Sequence, residues 1–217
     1  MKLCRIGEIG KEKPAIIDKD NNYRDLSSLI TDFNPVTLNF DTIDKINKTD
    51  ISSLPKLESN TRIGACVSNP SKFIGIGLNF KDHAEEQNLP IPKEPIIFSK
   101  FTSCITGPND PIIVPKGSNH TDWEVELGFV IGKKAINVSV ESALDHVLGF
   151  FLANDVSERD FQKNKGLTWD KGKGFDTFGP IGPYIITKAV SYTHLRAHET
   201  GRNIVCRIML EKKKGGG

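Results

Sequence analysis

The stretch from Phe73 onward sets the tightest limit on the fold. Apolar runs of three or four residues, Phe73-Ile74-Gly75-Ile76, Ile96-Ile97-Phe98, Ile112-Ile113-Val114 and Pro183-Tyr184-Ile185-Ile186, stand between turns rich in Pro, Gly and Asn. Runs this short have the length of strands, and their number predicts a β-rich core. Helical patterning is sparse: residues 81–88, residues 140–147 with Ser139 as N-cap and Glu141 in the first turn, and residues 157–163. Helices of this kind decorate a sheet system rather than alternate with its strands, so the class expected is α+β and β-rich.

Residues 1–67 have a different texture. Strand-like runs at residues 2–6 and 15–18 precede a short helical stretch at residues 25–30 and then Asn/Asp/Lys-rich connecting sequence. This reads as a small N-terminal α/β subdomain over 1–67, followed by a main domain over 68–189. Residues 190–217 break the pattern, and their composition resembles translated library-adapter sequence, so they are set aside as a non-native-looking tail. Within it, His198-Glu199 lacks the second His at helical spacing that a zinc motif needs.

The tail also distorts the charge balance. Residues 191–217 carry six Lys/Arg against two Glu, whereas the rest holds 23 basic against 25 acidic residues. Outside the tail there is no electrostatic footprint for nucleic acid, and a nucleic-acid binder would have to rely on the tail itself. The four cysteines lie singly with no C-x-x-C pair, which argues against a zinc knuckle, a redox dithiol or a disulfide framework. No apolar stretch has the length of a signal peptide or a membrane span, so a cytoplasmic protein with no membrane partner is expected.

Trp123-Glu124-Val125-Glu126-Leu127-Gly128-Phe129-Val130-Ile131 carries the most chemistry. At strand period Glu124 and Glu126 share one face while Val125 and Leu127 share the other. In isolation such a pair is usually a solvated face. Here the acids run into Leu127, Phe129 and Val130, and paired carboxylates beside buried apolar residues are costly unless a cation neutralises them. Asp155 closes another apolar run, Leu148 to Asn154, so a neighbouring strand can bring a third acid alongside. Three carboxylates without thiolates or clustered imidazoles favour a hard divalent ion: Mg2+ first, Mn2+ or Ca2+ next, zinc least.

His83 and Glu86 stand three apart in Phe80-Lys81-Asp82-His83-Ala84-Glu85-Glu86 and would be neighbours on a helix. An acid beside an imidazole fixes its tautomer and raises its basicity, which suits a general base for water; the plainer alternative is a charged surface helix. Lys173, in the loop Thr168-Trp169-Asp170-Lys171-Gly172-Lys173-Gly174, either stabilises an oxyanion or enolate or belongs to a solvated connector. Gly75-Ile76-Gly77 is no dinucleotide fingerprint, since Phe80 stands where its third glycine belongs, and no G-x-S-x-G elbow exists.

Taken in order, Ile76 to Glu86, Glu94-Pro95-Ile96-Ile97-Phe98, Asp122 to Gly132, Asn154 to Asp160 and Trp169 to Pro180 resemble the fumarylacetoacetate hydrolase family. The resemblance covers about residues 1–188. It implies a mixed, rolled β-sheet core, a homodimer, and a lid helix at residues 81–88. It implies Glu124, Glu126 and Asp155 as magnesium ligands, His83 with Glu86 as the water-activating pair and Lys173 as the catalytic lysine. Arg159 and Gln162 match positions that contact substrate oxygens. Phe80 departs from the tyrosine of many relatives. Nothing after Lys188 matches the family's C-terminal strands and pocket-closing loop, so the C-terminal part of the domain is expected to be missing.

The resulting expectation is a divalent-metal-dependent hydrolase that cleaves a carbon-carbon bond in a small anionic acylpyruvate or diketo acid. Ureidoglycolate lyase chemistry, or hydroxyheptadienedioate isomerisation or decarboxylation, uses the same kind of site. A reading of another class is a catalytically incomplete fragment that exposes apolar core surface.

Overall fold

The computed structural model describes residues 1–80, 84–85, 88–166 and 168–188. His83, Glu86, most of the expected helix at 81–88 and the tail beyond residue 189 lie outside the described residues.

The first three strands, β1 (Lys2–Ile6), β2 (Lys13–Ile17) and β3 (Tyr23–Asp25), form a meander. Their sheet continues into β11 (Gly179–Thr187), β9 (Val147–Asn154) and β8 (Val125–Ile131), in the order β3-β2-β1-β11-β9-β8. These pairs are antiparallel, while the two-residue β6 (Ile105–Thr106) joins β11 in parallel, which makes the sheet mixed. β1 is flanked on both sides, by β2 and by β11, and from Leu3 to Ile6 it is buried throughout, as a central strand must be.

The main core crosses residue 67. Leu3, Leu26, Phe33 and Ile46 from the N-terminal segment pack in one cluster with Leu148, Phe151, Ile181 and Ile185. The expected boundary therefore coincides with no gap in the sheet or the core. Outside the main sheet, β4 (Phe73–Gly77) and β5 (Ile96–Lys100) form an antiparallel pair, and β7 (Thr121–Asp122) pairs with β10 (Ser157–Glu158). Cys4, Cys66 and Cys104 are buried free thiols. No helix among the described residues is long and apolar enough to cross a membrane.

Helices are short, as the sequence suggests, yet several elements differ from expectation. The spacing of Leu26 and Ile30 yields only one turn, in which Leu29 and Ile30 donate their N–H groups to the Leu26 carbonyl, because Asp25 and Asp32 side chains take up the N–H groups of Ser27 and Phe33 instead. A helix forms later, α1 (Phe40–Asn47), capped by the Asn39 side chain and burying Ile43 and Ile46; the sequence reading made this connecting chain. The Ile112-Ile113-Val114 run joins no strand, since Pro111 and Pro115 bracket it and supply no N–H to a ladder, and Ile113 is 64% exposed.

Among the described residues, further α-helices are single turns: α2 (Val140–Ala143), α3 (Arg159–Lys163) and α4 (Asp170–Lys173). Ser139 caps α2 as expected, but the element breaks into a 3-10 turn at Leu144–His146 before β9 begins. Likewise Ser157 and Glu158, expected as helix, are drawn into pairing with β7.

Candidate active site

β8 and β9 run antiparallel with Val125 opposite Asn154 and Glu126 opposite Ala153. That register puts Glu124 opposite Asp155, and the Asp155 N–H donates to the Glu124 carbonyl at 2.8 Å. The Glu124 N–H is held by the Asn154 side chain at 3.1 Å. Glu124 and Glu126 share the face of β8 that looks toward the core, so the acids from two neighbouring strands do meet.

Cations meet them. Lys173, only 2% exposed, donates from Nζ to Glu124 Oε2 and to Asp155 Oδ2, each at 2.6 Å. Arg159 Nη1 lies 2.6 Å from Glu124 Oε1, and Arg159 Nη2 donates to Asp122 Oδ2 at 2.7 Å. Gln162, buried on α3, accepts from Arg159 Nη1 at 3.2 Å. Lys173 Nζ also lies 5.0 Å from the centre of the Phe98 ring, within cation–π range.

Two groups were not singled out in the sequence. Lys100 is 3% exposed and donates from Nζ to Asp155 Oδ1 at 2.6 Å, to the Lys173 carbonyl at 2.5 Å and to the Val156 carbonyl at 3.3 Å. A signal for it existed: in β5 the residues Ile96, Phe98 and Lys100 alternate at strand period, which places the lysine on the inward face with Phe98. Glu158, fully buried, accepts from Ser118 and Thr121 hydroxyls and from the His120 N–H, and so anchors the loop before β7. Its partners lie some forty residues away, and no local pattern points to them.

Packing fixes where Lys173 stands. A Cβ on Gly172 would lie 2.5 Å from the Gln162 nitrogen and 2.6 Å from the Glu158 carbonyl oxygen, so only glycine lets α4 rest directly on the α3 backbone. Asp170 Oδ1 accepts from the Ser99 N–H at 2.7 Å, and Trp169 packs against Phe98 with ring centres 5.6 Å apart. The loop around Lys173 is thus a docked element and not a solvated connector.

Electrostatics separate the three acids. Burial pushes the Glu124 carboxyl up, but Lys173 and Arg159 outweigh it and hold the group below its ordinary value. Glu126 has no hydrogen bond or ion pair among the described residues, and burial, then the charges of Glu124 and Asp155, push its pKa up to about 7. A cleft of about 200 Å³ over β8 and β9 has Asn79, Phe80, Glu126, Phe129, Val147 and Phe150 among its lining residues, so Asn79 and Phe80 lie near Glu126.

A model of the family described as fumarylacetoacetate (FAA) hydrolase, C-terminal, matches residues 72–210. The chain belongs to the fumarylacetoacetate hydrolase family. This match reaches into the tail that the sequence reading sets aside. A Burkholderia lata protein bearing the provisional name of a hydrolase is 53% identical over 188 residues, covering 87% of this chain and 67% of that protein.

Among solved structures, fumarylacetoacetate hydrolase from Exiguobacterium antarcticum is 29% identical with a TM-score of 0.74, over 87% of this chain and 67% of that one. A 2-hydroxyhepta-2,4-diene-1,7-dioate isomerase from Mycobacterium marinum is 30% identical with a TM-score of 0.63, over 87% and 66%. The β-rich α+β class expected from the sequence is the class observed, and fumarylacetoacetate hydrolase relatives share it.

Members of the fumarylacetoacetate hydrolase family generally bind a divalent metal. Among the described residues, no three His, Cys, Asp or Glu side chains converge closely enough to hold one as they stand. What Glu124 and Asp155 converge on is the Lys173 ammonium, with Glu126 beside them. The donor chemistry fits all the same: three hard carboxylates, one of them half-buried and without a cationic partner at bonding distance among the described residues, are suited to a divalent ion of the magnesium type.

Proposed function

We propose that this chain carries the catalytic body of a divalent-metal-dependent hydrolase that cleaves a carbon-carbon bond in a small acylpyruvate-like keto acid. The observation that carries the reading is the cluster in which Glu124, Glu126 and Asp155 meet Lys173, Lys100 and Arg159. Glu124, Glu126 and Asp155 would hold the ion, Mg2+ first and Mn2+ or Ca2+ next. When bound it supplies Lewis acidity toward substrate oxygens and a template for their orientation.

The chain's own residues account for the rest. Lys100, Lys173 and Arg159 are engaged by the acids; with the divalent ion bound the balance of charge would favour an anionic substrate, whose carboxylate and keto oxygens Arg159 with Gln162 would orient. His83, held by Glu86, would take a proton from water as the oxygen adds to the acyl carbonyl. The carbon-carbon bond then breaks toward the keto acid side, leaving an enolate whose charge Lys173 stabilises until its carbon is protonated. Products are a carboxylate and a pyruvate-type acid.

Isomerisation is the second reading, favoured by solved relatives that bear isomerase names. It would use the same enolate-stabilising cations without an attacking water. An assay that follows pyruvate release from acylpyruvates with added Mg2+ tests the hydrolase reading. Glu124→Ala is expected to lower kcat/KM by about 100-fold or more, since a first-sphere ligand should matter at least as much as an outer one. Full turnover by that variant, or by the wild-type chain in excess EDTA, would discard the reading; double-bond migration without pyruvate release would replace it with the isomerase.

A further inference from the structure

We infer that the Lys173 ammonium and the divalent ion compete for the same carboxylate oxygens, so that loading the ion is what releases Lys173 to meet an anion. The inference rests on the metal-binding reading above and deepens it.

The oxygens are already allocated. Glu124 gives Oε1 to Arg159 and Oε2 to Lys173, each at 2.6 Å. Asp155 gives Oδ1 to Lys100 and Oδ2 to Lys173, again at 2.6 Å. Among the described residues, Lys173 is the one group bonded to both acids. Glu126 alone is left without such a partner among the described residues. An ion that takes oxygens from Glu124, Glu126 and Asp155 together therefore competes most directly with Lys173, whose ammonium lies between the two acids.

Charge counting gives the same result. Four acids, Asp122, Glu124, Glu126 and Asp155, face three cations, Lys100, Lys173 and Arg159. Asp122 is exposed, but adding two positive charges while Lys173 keeps its place leaves the cluster with an excess cation, and its buried members, Lys100, Lys173 and Asp155, make that costly. Moving the ammonium off the acids relieves the repulsion and leaves a cation facing the site, which an incoming carboxylate or enolate can take.

Of the two buried lysines, the geometry lets Lys173 move more readily than Lys100. Lys100 grips the Lys173 carbonyl at 2.5 Å, and Gly172 is pinned against the Gln162 and Glu158 backbone, so the main chain at Lys173 is fixed. Its side chain has rotatable bonds and the Phe98 face beside it. Lys100 has no such freedom, being bonded to two carbonyls as well as to Asp155. One lysine of the pair anchors and the other yields.

Mn2+ binding to the full chain, measured by calorimetry, tests this in the wild type and in Lys173→Met and Lys173→Gln. The variants are expected to bind Mn2+ about tenfold more tightly, the direction set by removing a nearby like charge. In the wild-type chain, amine labelling followed by mass spectrometry should show Lys173 reacting several-fold faster once Mg2+ is added, with Lys100 remaining protected. That second readout does not depend on the variants folding. Equal or weaker Mn2+ binding in both variants, with no change in Lys173 labelling, overturns the competition and leaves the metal reading in place. Absence of Mn2+ binding in every form, wild type included, overturns both.

Discussion

Lys100 shows what a single buried charge does here. Its ammonium satisfies one Asp155 oxygen and two backbone carbonyls, so it joins β5, the end of β9 and α4 at one point. Lys100→Met leaves the Asp155 oxygen and both carbonyls without a donor, and should cost about 3 kcal/mol of stability by urea unfolding. A change under about 0.5 kcal/mol, the range of ordinary surface substitutions, would contradict that role. Asp110 offers a pH test away from the site. Arg62 bonds both its oxygens at 2.7 and 2.6 Å and, against the opposing effect of burial, holds its pKa near about 2. The folded value lies below the unfolded one, so this stabilisation is complete above about pH 4 and is lost as pH falls toward about 2. Unfolding midpoints of Asp110→Asn should therefore vary less across that window than those of wild type. At this scale the sequence is informative where strand period speaks, since it puts Glu124 and Glu126 on one face, whereas for Asp155 it offers only the end of an apolar run that a neighbouring strand can bring alongside. Lys100 sat in an equally legible alternation, but lysine is so often solvated that the pattern alone did not point to it.

At the scale of elements, the site depends on how closely a single turn of helix can approach another. Gly172→Ala would thrust a methyl into backbone atoms at 2.5 and 2.6 Å that cannot turn aside, so α4 must lift and carry Lys173 with it. A loss of about 1–3 kcal/mol in unfolding free energy is expected, together with weaker substrate binding; unchanged melting and KM would show that the contact relaxes freely. Strands were easier to read than helices. The β8 and β9 runs are long and apolar enough to declare themselves, whereas α3 and α4 are too short for a 3.6-residue period to emerge. The single turn at Leu26–Ile30 imitates a helix because its two apolar residues have helical spacing, though local Asp side chains stop it from propagating.

At the scale of the molecule, the described residues of the main sheet present an apolar face that water does not suit. Val125, Phe129, Ile131 and Leu152 are 41%, 54%, 52% and 38% exposed on the outer side of β8 and β9, and β8 is the last strand of the sheet. An apolar strip along an open edge favours association. Light scattering on the purified chain should give a mass above the monomer, and the double change Phe129→Glu with Ile131→Glu should lower it. A strictly monomeric wild type at micromolar concentration would show that the strip is tolerated in solvent. Sequence patterning raises exposed apolar core surface only within the fragment reading and does not place it on this face, since a residue's exposure depends on which layers of the fold cover it.

By itself the sequence determined the β-rich class, the family, and which acids share a strand face, because each of these follows from period and motif along the chain. The tertiary structure alone decided the pairing of charges. That Asp155 stands opposite Glu124, that Lys173 bridges them and that Lys100 locks the arrangement are consequences of strand register and of a glycine-thin contact between turns. Such contacts join residues 18 to 73 positions apart, and coulombic energy falls with distance through space, about which distance along the chain says nothing.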